Sequence, residues 1–318
     1  HAEASRRYVV PSAPGKRFRK DTKVTDMLYG CYALAEQDED FSENLHQIEE
    51  RYQEIIDGLS LTLSLADEFA VIEKNFRAHA GKDYAASRGE YLNGIVMAAY
   101  LGYEFVDAAQ VVFFKENGEF DAVKTNEVLG ERLQNMENAV VPGFYGCDTH
   151  GNVKTFSRGG SDITGALAAA ALDADVYENW TDVPGILTAD PRIVKNPAPI
   201  ASLSYPELQL LSGAGTQVLH ESAVAPVRAA QIPLQILSTF APELPGTRIG
   251  FEAGVGLEKT GVVGFAGRRA VSMLRVLFRE AARADADTLV RACLAQRGVE
   301  VFHNSQGVEG LCLLLIAK

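Results

Sequence analysis

Between residues 25 and 77 the apolar positions recur at spacings of three and four. Leu45, Ile48, Tyr52, Ile55, Ile56 and Leu59 would line one face of a helix, with Glu49, Glu50 and Glu54 on the wet side. Those carboxylates read as a solvated face. A further helix is predicted over residues 88–101, with Glu90 in its first turn, where the helix dipole favours a carboxylate. Tyr8-Val9-Val10 reads as the end of a strand running into the loop Ser12-Ala13-Pro14-Gly15. Residues 111–114, 139–144 and 174–179 also read as strands. Strands alternating with helices imply an α/β fold, a mainly parallel sheet sandwiched between helices. From about residue 254 the pattern changes. A strand near 270–277, a helix near 289–296 and strands at 299–302 and 311–316 give the order β-α-β-β.

Composition bounds this picture. The 318 residues can bury one large core, or a large and a small domain. No apolar run approaches the length of a bilayer span and no secretory signal stands at the amino end, so a soluble, cytoplasmic protein without a membrane is expected. A formal charge of −12 argues against a nucleic-acid groove. Cys31, Cys147, Cys293 and Cys312 lack paired spacing, which suits a reducing compartment, and the six histidines show no metal-ligand spacing. The cations Lys16, Arg17, Arg19, Lys20 and Lys23 form either an anion-binding patch or a solvated loop.

Two motifs carry chemistry. Phe156-Ser157-Arg158-Gly159-Gly160-Ser161-Asp162 opens the Ala-rich helical run of residues 163–172. Glycines there let a ligand approach the backbone, and helix-start amides favour an anion. Arg158 adds a planar charged fork suited to a carboxylate or phosphate. Asp162 is either the cap of that helix or an acid held near the same anion. The second motif, Trp180-Thr181-Asp182-Val183-Pro184-Gly185-Ile186-Leu187-Thr188-Ala189-Asp190-Pro191-Arg192, follows a strand and suits a polar ligand beyond a parallel strand's end.

With these motifs the chain resembles the aspartate kinases (aspartokinases) of the amino-acid kinase family. The resemblance continues through residues 214–220, Ile232-Pro233-Leu234-Gln235-Ile236 and Pro245-Gly246-Thr247-Arg248-Ile249. It also includes residues 9–16, 23–28 and Ser87-Arg88-Gly89-Glu90, and it covers most of the first 250 residues. It implies transfer of the ATP γ-phosphoryl group to the side-chain carboxylate of L-aspartate, on the way to lysine, threonine and methionine. Carried over by residue, Thr25, Glu90, Arg158, Gly159, Gly160 and Ser161 would bind aspartate, with Glu90 on its amino group. Asp162 would be catalytic. Thr181, Asp182, Leu187, Arg192, Gln217 and Val218 would hold the nucleotide, with Mg²⁺ bridging its phosphates. Residues 1–253 would be the kinase domain without its first strand, and 254–318 a partial ACT-like regulatory domain. Such modules imply a homodimer and an amino-acid effector, lysine, threonine or both.

Three departures bear on activity. Nothing before Tyr8 supplies the family's Lys-x-Gly-Gly strand, Gln217 stands where many relatives place a lysine, and Leu187 where many place a tyrosine. Each lost charge-assisted contact is worth about 1.5–3 kcal/mol, so these 318 residues alone are expected to phosphorylate aspartate poorly. The alternatives are a catalytically silent, effector-sensing subunit or another amino-acid kinase.

Overall fold

The structure is a computed structural model that describes residues 5–157, 159–213, 219, 221–252, 262–266, 272–277, 283–306 and 310–317. Strand β1 (Tyr8–Val9) leads into helices α1 (Val24–Ala35), α2 (Ser42–Gly58), α3 (Ala66–Arg77) and α4 (Lys82–Leu101). The apolar stripe read from residues 45–59 is the buried face of α2. Leu45, Ile48, Tyr52 and Ile56 are buried there, whereas Leu59 is exposed at the helix's end. They join Val24, Leu28, Phe69, Ile72, Phe76 and Leu92 in an all-helical core.

Helix α4 begins well before residue 88. Gly81, at φ +93°, turns the chain into it, and Ala85 and Ala86 are fully buried. Glu90 therefore lies in the middle of the helix rather than in its first turn, and the helix dipole does not account for it. Next come β2 (Glu104–Phe105), a short 3₁₀ turn at Ala108–Gln110 and α5 (Ala122–Gln134), which is capped by the Asp121 carboxylate accepting from the Lys124 N–H at 3.1 Å. Strand β3 (Ala139–Val140) is shorter than the sequence pattern suggests, because Pro142 and Gly143 end it. Residues 111–114 make only single bridges, Phe113 to Cys147 and Phe114 to Phe120, instead of a strand. The order β1-β3-β2 forms a parallel sheet.

The hairpin β4 (Tyr145–Cys147) and β5 (Val153–Thr155) leads to α6 (Gly160–Ala171). Beyond it lie β6 (Tyr177–Thr181), β7 (Ser202–Ser204), α7 (Tyr205–Gly213), α8 (Glu221–Ala229), β8 (Leu234–Ser238) and β9 (Thr247–Gly250). These strands form a second sheet in the order β6-β8-β9-β7, parallel except between β8 and β9. Helix α6 serves both sheets. Its Ile163, Leu167 and Ala168 pack into the core of the first, and Ala166 and Ala169 into the core of the second.

At the carboxyl end, β10 (Ser272–Leu277), α9 (Arg283–Gln296), β11 (Val299–Gln306) and β12 (Gly310–Ala317) give a separate antiparallel sheet in the order β10-β12-β11. Among the described residues, no helix is long and apolar enough to cross a membrane.

Candidate active site

The carboxyl ends of the first parallel strands converge on the amino end of α6. Gly143, just past β3, donates its N–H to the Pro11 carbonyl at 3.1 Å. A Cβ on Gly143 would stand 2.6 Å from the Ser161 Cα, and one on Gly160 would stand 2.8 Å from the Phe144 Cα. Only glycine admits so close an approach. Gly159 occupies the N-cap in a left-handed conformation at φ +57°, and no side chain caps the helix. Asp162 is therefore not the cap. It lies in the first turn, leaving the first amides of α6 for an outside acceptor.

The Asp162 carboxylate instead accepts a hydrogen bond from Asn179 Nδ2 at 2.9 Å, and the Tyr177 hydroxyl donates to the Asp162 carbonyl at 3.0 Å. Burial pushes the Asp162 carboxyl above its ordinary range, and the Asn179 bond pulls the other way. Residues 177, 179 and 181 alternate onto one face of β6, so Thr181 lies on the side that meets α6. Asp182 is exposed just past the strand, and the Thr181 hydroxyl donates to its carboxylate at 3.3 Å. The Thr181 carbonyl accepts from both the N–H and the hydroxyl of Thr239, at 2.8 and 3.0 Å, which fixes the carboxyl ends of β6 and β8 together. The turn that follows is held by Thr247, whose hydroxyl donates to the Ile200 carbonyl at 2.6 Å and accepts from the Ile186 N–H at 2.8 Å.

Glu90 lies on α4, beside the loop that follows β1. The loop after β1 is fastened to that helix by Asn93, which donates to the Ser12 carbonyl at 2.7 Å, and by the close packing of Gly89 on Ala13. Arg51 holds the loop's far end at the carbonyls of Gly15 and Thr22, the latter at 2.6 Å. Burial pushes the Glu90 carboxyl up to about 7, against the opposing pull of the Ala13 N–H, its own N–H and the Arg88 guanidinium. One carboxylate oxygen, Oε2, is buried without a hydrogen-bond partner. A buried carboxylate with an open lone pair is a receptor for a cationic donor. Thr25 lies in the first turn of α1 beside Val24, whose methyl would touch a Cβ on Gly89 at 3.5 Å. The residues next to Thr25 and Glu90, Val24 and Gly89, thus meet across the α1–α4 contact.

Not all the expected residues gather here. Arg192 is 87% exposed and paired with Asp190 at 2.7 Å inside its own turn. Leu187 is half-buried and bridges to Pro199. Arg158, Gln217 and Val218 lie outside the described residues. In the cationic loop, Arg17 is spent on Asp21 and Glu54, at 3.1 and 2.8 Å, while Lys16, Arg19, Lys20 and Lys23 are exposed. Sequence reasoning gave no role to Asn179 or to the Ala13 amide. The signal for Asn179 is its place two residues before Thr181, on the face of β6 that α6 covers.

A parallel α/β sheet with glycine-rich turns and a helix amino end at its carboxyl edge is the architecture of α/β proteins that bind anionic ligands, phosphates among them. The amino acid kinase family matches residues 3–238, and the chain belongs to that family. Within it, the relatives are aspartokinases. Aspartokinase 3 of Bacillus subtilis is 38% identical over 266 residues, which cover 78% of this chain. The chain spans 58% of that relative's length. The aspartate kinase of Clostridium acetobutylicum, described as an allosteric enzyme, superposes with a TM-score of 0.88 at 42% identity, over 99% of this chain and 72% of that one. The E. coli aspartokinase III complex with aspartate and ADP shares the fold, with a TM-score of 0.73 at 24% identity over 100% of this chain and 73% of that one.

Proposed function

We propose that the protein is an aspartate kinase, moving the γ-phosphoryl group of ATP to the side-chain carboxylate of L-aspartate. The observation that carries this reading is the meeting of two loops. The Gly159–Ser161 amides at the start of α6 adjoin the end of β6 through the Asp162–Asn179 bond, so an amino acid and a triphosphate can lie side by side. Two anions must be brought into line, and the work is positioning and charge neutralisation. In this reading Glu90 Oε2 accepts from the substrate ammonium, with Thr25 beside it, while the α6 amides and Arg158 hold its carboxylates. An aspartate carboxylate oxygen attacks the γ-phosphorus, the bond to the β-phosphate oxygen breaks, and aspartyl phosphate and ADP result. Asp162 orients the donors and cation around the transferring group, and Thr181, Asp182, Leu187, Arg192, Gln217 and Val218 line the nucleotide side.

The described residues hold no group of three or more His, Cys, Asp or Glu side chains suited to a metal ion. When bound, Mg²⁺ would neutralise charge on the nucleotide's phosphates, and Asp162 is the carboxylate that would help hold it. Residues 1–253 act as the kinase domain in this reading. Residues 254–318, with their β-α-β-β order, act as the start of a regulatory module that takes lysine or threonine and pairs with a second copy, in a cytoplasmic enzyme. The allosteric character of the Clostridium relative supports this.

The test is calorimetric titration with aspartate and with ATP·Mg²⁺, alongside trapping of aspartyl phosphate as its hydroxamate. Binding of both is expected, with hydroxamate formed slowly by these 318 residues, from aspartate and not from glutamate. Lysine or threonine binding without aspartate binding would replace the enzyme by an effector-sensing subunit.

A further inference from the structure

Arg88 sits in the second turn of α4, six residues after Lys82 and two residues before Glu90, and it is only 6% exposed. Its guanidinium carbon lies 4.5 Å from the centre of the Tyr84 ring, 4.4 Å from that of Tyr91 and 5.4 Å from that of Tyr145. Its Nε and Nη2 donate to the Ser87 hydroxyl at 3.1 and 2.9 Å. No carboxylate among the described residues forms an ion pair with it. A buried cation faced by three aromatic rings is held electrostatically by their negative faces, and only a planar guanidinium can stack on them.

Each ring is anchored by its own hydroxyl. Tyr84 accepts from Asn75 at 2.8 Å, Tyr91 donates to Glu68 at 2.8 Å and Tyr145 donates to Asp107 at 2.6 Å. Tyr145 belongs to β4, whose partner β5 is tied back to α4 by Asp83, through Thr155 at 2.8 Å and Lys154 at 3.0 Å. That hairpin runs directly into the Phe156–Asp162 segment. Arg88 thus stands at the junction between the helix that carries Glu90 and the hairpin that delivers the start of α6.

We infer that Arg88 is a positioning residue for amino-acid binding, fixing the Glu90 turn of α4 against the β4–β5 hairpin. The inference rests on the proposed aspartate site. Glu90 is faced by Arg88 on its own helix, by Tyr52 from α2, whose hydroxyl donates to the Gly89 carbonyl at 2.7 Å, by Tyr29 from α1 and by the Ala13 amide. Among these Arg88 is the one positive charge, so its loss raises the pH at which the carboxylate ionises.

The experiment measures aspartate and ATP·Mg²⁺ affinity against pH for the unmodified protein, Arg88→Gln and Arg88→Lys. For Arg88→Gln, aspartate affinity is expected to fall at least about tenfold, with the midpoint of its pH dependence moved upward and ATP affinity within about twofold of the original. Arg88→Lys keeps the charge and loses the stack, so its affinity falls while its midpoint stays. It also serves as the measurement should Arg88→Gln fail to fold. Unchanged aspartate affinity in either folded variant, or equal losses for aspartate and ATP, would overturn the inference. Failure of the unmodified protein to bind aspartate would instead overturn the reading of the site itself.

Discussion

Glu90 is a buried carboxyl and Asp162 a half-buried one, and their surroundings ask different things of them. Glu90 keeps one oxygen without a partner and has its pKa pushed up to about 7, chiefly by burial. Unfolded, it would ionise near 4.5. Between these values the native state holds a proton that the unfolded chain has released, so this group makes stability fall as pH rises from about 4.5 to 7. The shift sets an upper bound of roughly 3 kcal/mol. Urea unfolding at pH 5 and pH 8 should show Glu90→Gln with a flatter pH dependence, relatively stabilised at pH 8. A slope identical to that of the unmodified protein would remove Glu90 as its source. Asp162 has its hydrogen bond from Asn179 and would keep it as an asparagine, through the remaining carbonyl oxygen. Asp162→Asn is therefore expected to change stability by no more than about 1 kcal/mol while lowering hydroxamate formation by about 10²-fold or more. Turnover near that of the unmodified protein would take Asp162 out of the mechanism.

At the scale of elements, the amino end of α6 is placed by contacts that only small residues permit. Gly143→Ala would drive a methyl against the Ser161 backbone, and Gly160→Ala one against the Phe144 backbone. Each should cost about 1–3 kcal/mol in denaturant unfolding. Gly250→Ala in β9, where nothing lies within 4 Å, should be close to neutral. Equal stability for all three variants would show that the packing at Gly143 and Gly160 is slack. Much of this region was legible in the residues themselves. The Gly159–Asp162 turn marked the start of a buried helix, and the α2 stripe gave the helical core. The limits of elements were harder to read. Glycine 81 starts α4 from outside the apolar pattern, and the strand-like residues 111–114 find partners for only single bridges. The Asp162–Asn179 bond was not legible, because it joins two elements whose contact depends on how α6 lies across β6.

For the molecule as a whole, the open question is whether its two kinase-fold sheets are one folding unit. Strands β1 and β6 end their respective sheets, and Arg6 reaches from one to the other. It forks onto Glu178 at 2.6 and 3.1 Å and lies 5.1 Å from the centre of the Trp180 ring. The pair is half-exposed, so Arg6→Ala should cost only about 1 kcal/mol. The stronger link is α6, whose buried side chains are shared between both cores. Trp180 is the single tryptophan of the chain and lies on β6 of the second sheet, beneath Arg6, whereas far-ultraviolet circular dichroism is weighted toward the helices of the first core. If α6 couples the two, urea unfolding followed by Trp180 emission and by helical signal will coincide, both before and after Arg6→Ala, with the mutant merely shifted to lower urea and its emission altered throughout. A tryptophan transition that runs ahead of the helical one would mean that the sheets part before they melt, and that the crevice between Asp162 and Asn179 is a contact between two separable halves.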